Sequence, residues 1–443
     1  MISSSKAEVA HGDMVPAHTA YNNGQSLWQR VQNCIHIDFA DLEAKATPAP
    51  RHWDLMRKWV RQAAQSSARL ICPNRGAVGK LLVLVPTLNN RRALLPLLAK
   101  IQIPVWIAGS KSIQERNEAL DLMHGSVTAL FMIPWAVLQA RKVRRSRAGL
   151  THVPFVALVA MIAQAAGSII YWRNYFSRVP VRGLLVANDH SPVSRCVSEA
   201  ANALRVPSIY VQHANVSLDF PPPTAYDLML LDGASAVKTY EALGNLSGNL
   251  VPIGAFRLRR SARRGAINNP PYAIGVAISA LVPLQVLELF IERLMQDSRV
   301  QRVLIRTHPA QSVNEIRSAF ESGHPGVEIN PGSECLYSSF LDKIDIVIAG
   351  NSCVVHDALA YGVPAFYAPL DTARPDYYGF RATKCIRDWD DSILSESPVS
   401  LRRRVAESLR ALEVHDMLAG KSMPDVEDCL LNAAALLVST LRP

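Results

Sequence analysis

Cysteine is scarce in this chain and never paired. The seven cysteines (34, 72, 196, 335, 353, 385 and 429) are scattered over 443 residues, odd in number, and nowhere spaced Cys-x-x-Cys. That excludes a zinc ribbon and a disulfide framework and fits reduced thiols. Glycine signatures are missing as well. There is no Gly-x-Gly-x-x-Gly, no Walker Gly-x-x-x-x-Gly-Lys-Ser/Thr and no Gly-x-Ser-x-Gly. The dinucleotide fingerprint, the phosphate loop and the nucleophile elbow therefore drop out. The polar N-terminus holds no apolar core, which predicts no secretory leader and a cytoplasmic protein. Acids are in deficit: 37 Asp and Glu against 47 Lys and Arg give a formal charge of +10. Anionic partners follow. The basic runs Arg141–Arg147, Arg257–Arg264 and Arg402–Arg404 carry no interleaved aromatics, and no zinc-finger or RNA-binding signature accompanies them. Phosphorylated metabolites or an acidic membrane face are expected, and no nucleic acid.

What is present is apolar and globular, with 49% hydrophobic and 19% charged residues. Thr151 to Trp172 has the length of a bilayer span, but Pro154, Gln164 and several Ala and Gly keep it moderate. With Val127 to Ala140 it reads as a buried helix pair; the alternative is a patch docking peripherally on an anionic inner membrane.

Residues 1–50 are polar and uneven, an extension and linker. From residue 51 short apolar runs alternate with helical spacing, the grammar of βαβ units and parallel sheets. Residues 51–258 form one Rossmann-like domain, with the apolar region 127–172 inside it, and 270–400 a second; 401–443 are helices that cross back onto the first. The expected fold is α/β, two parallel-sheet domains facing across a cleft.

In an open α/β sheet, ligands sit at the carboxyl ends of strands. In the second domain two strands end in small polar residues, Arg306-Thr-His308-Pro309 and Gly350-Asn351-Ser352. Proline disfavours helix at the residue before it, so His308 is held extended, able to donate to a phosphate oxygen with Arg306 assisting. Asn351 and Ser352 can cap the helix that follows, and a helix N-terminus also favours an anion. Gly350 permits close backbone approach. In the first domain Asn188-Asp189-His190, Gln212-His213 and Asp232-Gly-Ala-Ser235 end three successive strands. Asp232 first, and Asp189 second, can serve as base or nucleophile, with His213 beside them. Asp388-Trp-Asp390 has the spacing of a metal-binding pair but reads as an acidic turn, so no metal is expected.

Across residues 180–370 the chain resembles bacterial glycosyltransferases of the two-Rossmann (GT-B) type that carry a His-Pro motif and a serine motif. These are the sialyl- and polysialyltransferases and the capsule or lipopolysaccharide β-Kdo transferases. His308-Pro309 and Ser352, 44 residues apart as one intervening βα unit would place them, match the two motifs. The resemblance implies a CMP-sugar donor whose phosphate these groups hold without a metal, no cofactor, and a glycan or glycolipid acceptor. The chain departs from sialyltransferases at Leu231-Asp232-Gly233, where leucine replaces the first acid. A retaining Kdo transferase with Asp232 as nucleophile accommodates that departure. Rival readings are a CDP-glycerol-type polyol-phosphate transferase, a nucleotide-sugar 2-epimerase, which needs more sugar-facing carboxylates than can be assigned, and an inactive GT-B scaffold at the membrane.

Overall fold

The computed structural model describes residues 26–44, 75–109, 126–146, 153–189, 191–218, 223–244, 249–253, 267–279, 282–309, 311–320, 324–332, 335, 337–371, 376, 378–381, 386–414 and 426–441. In chain order the first domain comprises α1 (Leu27–Ala44), β1 (Leu81–Val85), α2 (Leu88–Leu98), β2 (Val105–Gly109), α3 (Ser126–Phe131), α4 (Ile133–Ser146) and α5 (Phe155–Arg178). It continues with β3 (Gly183–Val186), α6 (Pro192–Ala203), β4 (Ser208–Val211), β5 (Leu228–Leu231), α7 (Ala234–Ala242) and β6 (Asn249–Pro252). The second comprises β7 (Tyr272–Ala277), α8 (Leu284–Met295), β8 (Val300–Arg306), α9 (Val313–Phe320), β9 (Val327–Asn330), α10 (Tyr337–Leu341), β10 (Ile346–Ala349), α11 (Val354–Tyr361), β11 (Ala365–Tyr367) and α12 (Pro398–Val414). A last helix is α13 (Val426–Thr440).

Both sheets are wholly parallel in their strand pairings, ordered β2-β1-β3-β4-β5-β6 and β11-β10-β7-β8-β9. This is the doubly wound pair that the sequence predicts. The continuous apolar runs become strands because both faces are covered. In β1, Leu82 and Leu84 pack toward Trp172 and Tyr175 of α5, while Leu81, Val83 and Val85 pack toward Leu94 of α2. The second face is completed by α13, whose Leu430, Ala433, Leu437 and Leu441 join the same cluster. The chain's last helix thus lies on the first domain, against α2 and β5. In the second domain, Ile274 and Val276 pack with Leu287 and Ile291 of α8, while Val347 and Ala349 pack with Val355 and Leu359 of α11.

The helical layer corrects one expectation. Residues 27–44, assigned above to an extension, form α1, and it docks on α5 and α6. Val31, Cys34 and Ile35 enter a cluster with Ala136, Ala140 and Ile162, and Arg30 makes a buried ion pair with Glu199 at 3.2 Å. Apolar residues at 31, 34 and 35 carry helical spacing, but the flanking polar composition hides it. By length and composition α5 could cross a membrane. It is instead enclosed by α1, α3, α4 and α6, with twelve of its residues buried, as the buried-pair reading expects of this helix; the other member of the pair, α3 and α4, keeps Phe131 and Leu138 exposed. The basic run at 257–264 lies outside the described residues.

Candidate functional site

The second sheet's carboxyl edge is built from three neighbouring strand ends. In the order β10-β7-β8, the His308 and Ser352 ends flank β7. They are therefore not adjacent, as the sequence reading had them. Two strand spacings separate them by about 10 Å, and Ile278 and Ser279 lie in between; Ile278 N donates to Arg306 O at 3.1 Å. The interval from His308 to Ser352 also holds two helix–strand units, α9–β9 and α10–β10, rather than one.

His308 sits in a turn closed by Gln311: the backbone N of His308 donates to Gln311 Oε1 at 3.0 Å, and Gln311 N donates to His308 O at 2.9 Å. Burial lowers the pKa of its imidazole below the ordinary value. Thr307 Oγ1 accepts from Gly332 N at 3.1 Å, and a Cβ on Gly332 would lie 2.1 Å from Thr307 O. Only glycine lets that segment clasp the strand end. The Arg306 side chain is drawn inward. Its guanidinium donates to Asn330 Oδ1 and, at 3.0 Å, to Cys335 O, over the ring of Phe340. The same-face expectation assumed that the strand runs on, but β8 ends at Arg306 and the chain turns.

At the end of β10, Ser352 N donates to Gly350 O at 2.8 Å, and Ser352 Oγ accepts from Val354 N at 3.3 Å. Ser352 thus satisfies an N–H at the start of α11, where the dipole favours negative charge. A Cβ on Gly350 would come within 3.1 Å of Ala368 O. Asn351 lies half-buried between the two, and Pro309 likewise follows His308 half-buried.

In the first domain the three expected strand ends are consecutive in the sheet, β3-β4-β5. Their residues differ in kind. Asn188 Oδ1 accepts from Ser191 N at 3.1 Å and shapes the start of α6. Asp189 is 1% exposed. Its carboxylate accepts from Thr224 N (2.9 Å), Thr224 Oγ1 (2.6 Å) and Tyr226 OH (2.6 Å) and pairs with Arg195 at 3.6 Å. Burial, and then the Asp189 charge, push the Tyr226 phenol well up, so it stays a donor. That coordination gives Asp189 an architectural role. His190 lies outside the described residues. Gln212 ties two ends together: Oε1 accepts from Asp232 N at 2.9 Å, and Nε2 donates to Ala214 O at 3.0 Å. Asp232 is buried at the end of β5, His213 is half-buried two residues past the end of β4, and Ser235 lies in the first turn of α7.

One contact joins the two edges. Asn215, just past β4, has its Nδ2 3.2 Å from His356 Nδ1 in the first turn of α11, and Phe380 meets the same imidazole edge-on at 5.2 Å. The carboxyl ends of both sheets therefore face each other across one cleft. The architecture is GT-B.

No protein-family model matches the chain, and no curated protein does. Solved structures of similar architecture include UDP-GlcNAc 2-epimerase from Neisseria meningitidis bound to UDP-GlcNAc, 12% identical, covering 82% of this chain and 99% of that one, with a TM-score of 0.47. The glycotransferase of kitacinnamycin is 14% identical over 83% and 100%, TM-score 0.48. Acinetobacter baumannii MurG is 12% identical over 81% and 99%, TM-score 0.41.

The sequence reading missed Ser279, Thr307 and His356 as cleft residues. Ser279 could have been found as the polar end of β7; the partner of His356 is 141 residues away and leaves no local signal. A cavity of about 430 Å³ lies elsewhere, at the amino end of β11, lined by Arg381, Arg387, Arg404 and Glu407. Its arginines are already paired, Arg381 with Asp388 at 2.8 Å and Arg404 with Glu396. Asp390 accepts from Ser392 N at 2.9 Å and so caps a short helical turn. The Asp388-x-Asp390 spacing is spent on pairing and capping.

Proposed function

We propose that this chain is a glycosyltransferase holding a nucleotide-activated sugar at the ends of β7, β8 and β10 and a glycan acceptor at the ends of β3, β4 and β5. The observation that carries this reading is the Asn215–His356 contact, which brings the two carboxyl edges to opposite sides of one cleft. On the donor side, His308, Gly350, Asn351 and Ser352 bind the phosphate next to the sugar. As the anomeric C–O bond breaks, its electrons go to that phosphate oxygen. The α11 dipole and the His308 N–H stabilise the charge. On the acceptor side Asp232 is the acid best placed to act, since Asp189 is fully committed to Thr224, Tyr226 and Arg195. As a base it takes the acceptor hydroxyl's proton while that oxygen bonds the anomeric carbon. In the retaining route its carboxylate attacks that carbon first as the phosphate leaves, and the acceptor oxygen then displaces the carboxylate, its proton passing to the departed phosphate.

The finer reading is a CMP-activated ulosonic acid, Kdo or a sialic-acid-type sugar, used in capsule or lipopolysaccharide synthesis without a metal. It rests on the His308-Pro309 and Ser352 motifs. Thermal unfolding with CMP, CDP, UDP, GDP and ADP, with and without Mg²⁺, tests both levels. A nucleotide at about 100 times its Kd stabilises the fold by about 2.7 kcal/mol, and that shift is expected to vanish in His308→Ala. Selectivity for CMP supports the ulosonate donor. Selectivity for UDP replaces it with a UDP-sugar transferase or 2-epimerase, and for CDP with a polyol-phosphate transferase. Silence across the panel overturns the enzyme reading in favour of an inactive scaffold. The sign of the pH effect is fixed by the burial of His308. A phosphate raises the pKa that burial lowers, so binding takes up a proton, and the advantage of wild type over His308→Ala grows as pH falls.

A further inference from the structure

We propose that helices α3 and α4 form a docking face for an anionic lipid surface. Phe131, Pro134, Leu138, Arg141 and Arg145 recur at spacings of three and four residues along these helices, and all five are exposed. Phe131 is 80% and Leu138 55% exposed, both among the chain's exposed large hydrophobics. The opposite stripe, Ala129, Ala136, Ala140 and Val143, is buried in the cluster that α5 shares. The pair of helices therefore has a satisfied inner face and an outer face with an apolar N-terminal half and a basic C-terminal half. Exposed Lys142 adds to the basic end. Trp28 and Trp135 stack edge-to-face at 6.1 Å and are half-buried beside it.

Charge chooses the occupant. Between Asp121 and Asp189 the chain has eight Lys and Arg and no Asp or Glu, against a whole-chain formal charge of +10. A helix lying in a bilayer interface sinks its apolar side chains to the acyl boundary and sets its basic ones among anionic headgroups. Phe131 and Leu138 meet the first requirement, Arg141, Lys142 and Arg145 the second. A second copy of this chain fits less well, because the segment brings no acid to set against those cations. The docking face is α3–α4, the Val127 to Ala140 part of the apolar region noted in the sequence, whereas its bilayer-length part is the enclosed α5. This inference is independent of which donor the cleft binds.

The full chain is tested by co-sedimentation with vesicles of phosphatidylcholine alone and with one-quarter phosphatidylglycerol, at about 0.1 M and about 1 M salt, where the Debye length falls from about 10 Å to about 3 Å. Binding is expected to anionic vesicles at low salt and to weaken at high salt. Each basic residue at such a surface contributes about 1 kcal/mol, roughly fivefold, so Arg141→Glu with Arg145→Glu should weaken binding at least twentyfold. Phe131→Ser with Leu138→Ser should also release the protein. All four side chains are exposed, so thermal unfolding and nucleotide binding should match wild type. Equal binding to neutral vesicles, or retention by both double variants, overturns the proposal. So does a dimer that Phe131→Ser dissociates in a protein that ignores vesicles, because the face is then a self-interface.

Discussion

Two aspartates at the ends of β3 and β5, with β4 between them, look alike in the sequence and differ completely in the fold. Asp189 and Asp232 each follow an apolar strand and precede a helix. What separates them comes from afar: Thr224 and Tyr226, 35 and 37 residues beyond Asp189, close over its carboxylate. Arg195 completes the enclosure, and its own side chain is only 4% exposed. Removing one member of a buried ion pair leaves the other charged and desolvated, at a cost of about 3–5 kcal/mol. Asp189→Ala should therefore lower the unfolding free energy measured in urea by that order, whether or not ligand is present. Asp232→Asn, nearly isosteric, should leave the midpoint close to wild type and, with donor still bound, stop turnover. Arg306 teaches the same lesson from the other domain. Its position two residues before His308 reads as a shared face, yet the strand stops and the guanidinium turns inward to Asn330. Residue type and spacing reveal where chemistry can sit; the partners that assign each role lie far away in the chain.

Elements were more legible than residues wherever burial is two-sided. Strands such as Leu81–Val85 and Ala365–Tyr367 are unbroken apolar runs, since each is covered above and below. β9 escaped because Val327–Asn330 is a partly exposed edge strand with only two apolar residues. α1 escaped because the apolar residues it buries at Val31, Cys34 and Ile35 are set among polar ones. The crossing of α13 was legible as a helix, and its docking partner follows from the core it joins. Leu437 is fully buried against the first sheet, while Leu431 on the same helix is 50% exposed. Leu437→Ala should cost about 2–5 kcal/mol and Leu431→Ala less than about 0.5 kcal/mol. Denaturant unfolding followed by the fluorescence of Trp172, which is buried in the first domain, would register the first loss only if α13 stabilises that domain in solution.

At the scale of the whole molecule the two sheets' carboxyl edges meet where Asn215 touches His356, a contact buried on both sides. Such a seam is where a two-domain enzyme opens and closes around a ligand, since a single hydrogen bond contributes only about 0.5–1.5 kcal/mol net. Asn215 Oδ1 is buried there without a hydrogen-bond partner among the described residues. Among the described residues the Asn215–His356 contact sets a modest bond beside an unsatisfied acceptor, which favours closure weakly and leaves it within a ligand's reach. A double-mutant cycle with Asn215→Ala and His356→Ala measures this directly. Residues in contact show coupling energies of about 0.5–3 kcal/mol, whereas independent sites add to within about 0.3–0.5 kcal/mol. The expected outcome is measurable coupling in the free protein, increased when a nucleotide occupies the cleft. Additivity in both states would mean that the edges stand apart in solution, and the carboxyl-edge apposition would then lose its place as the basis for a shared donor–acceptor cleft.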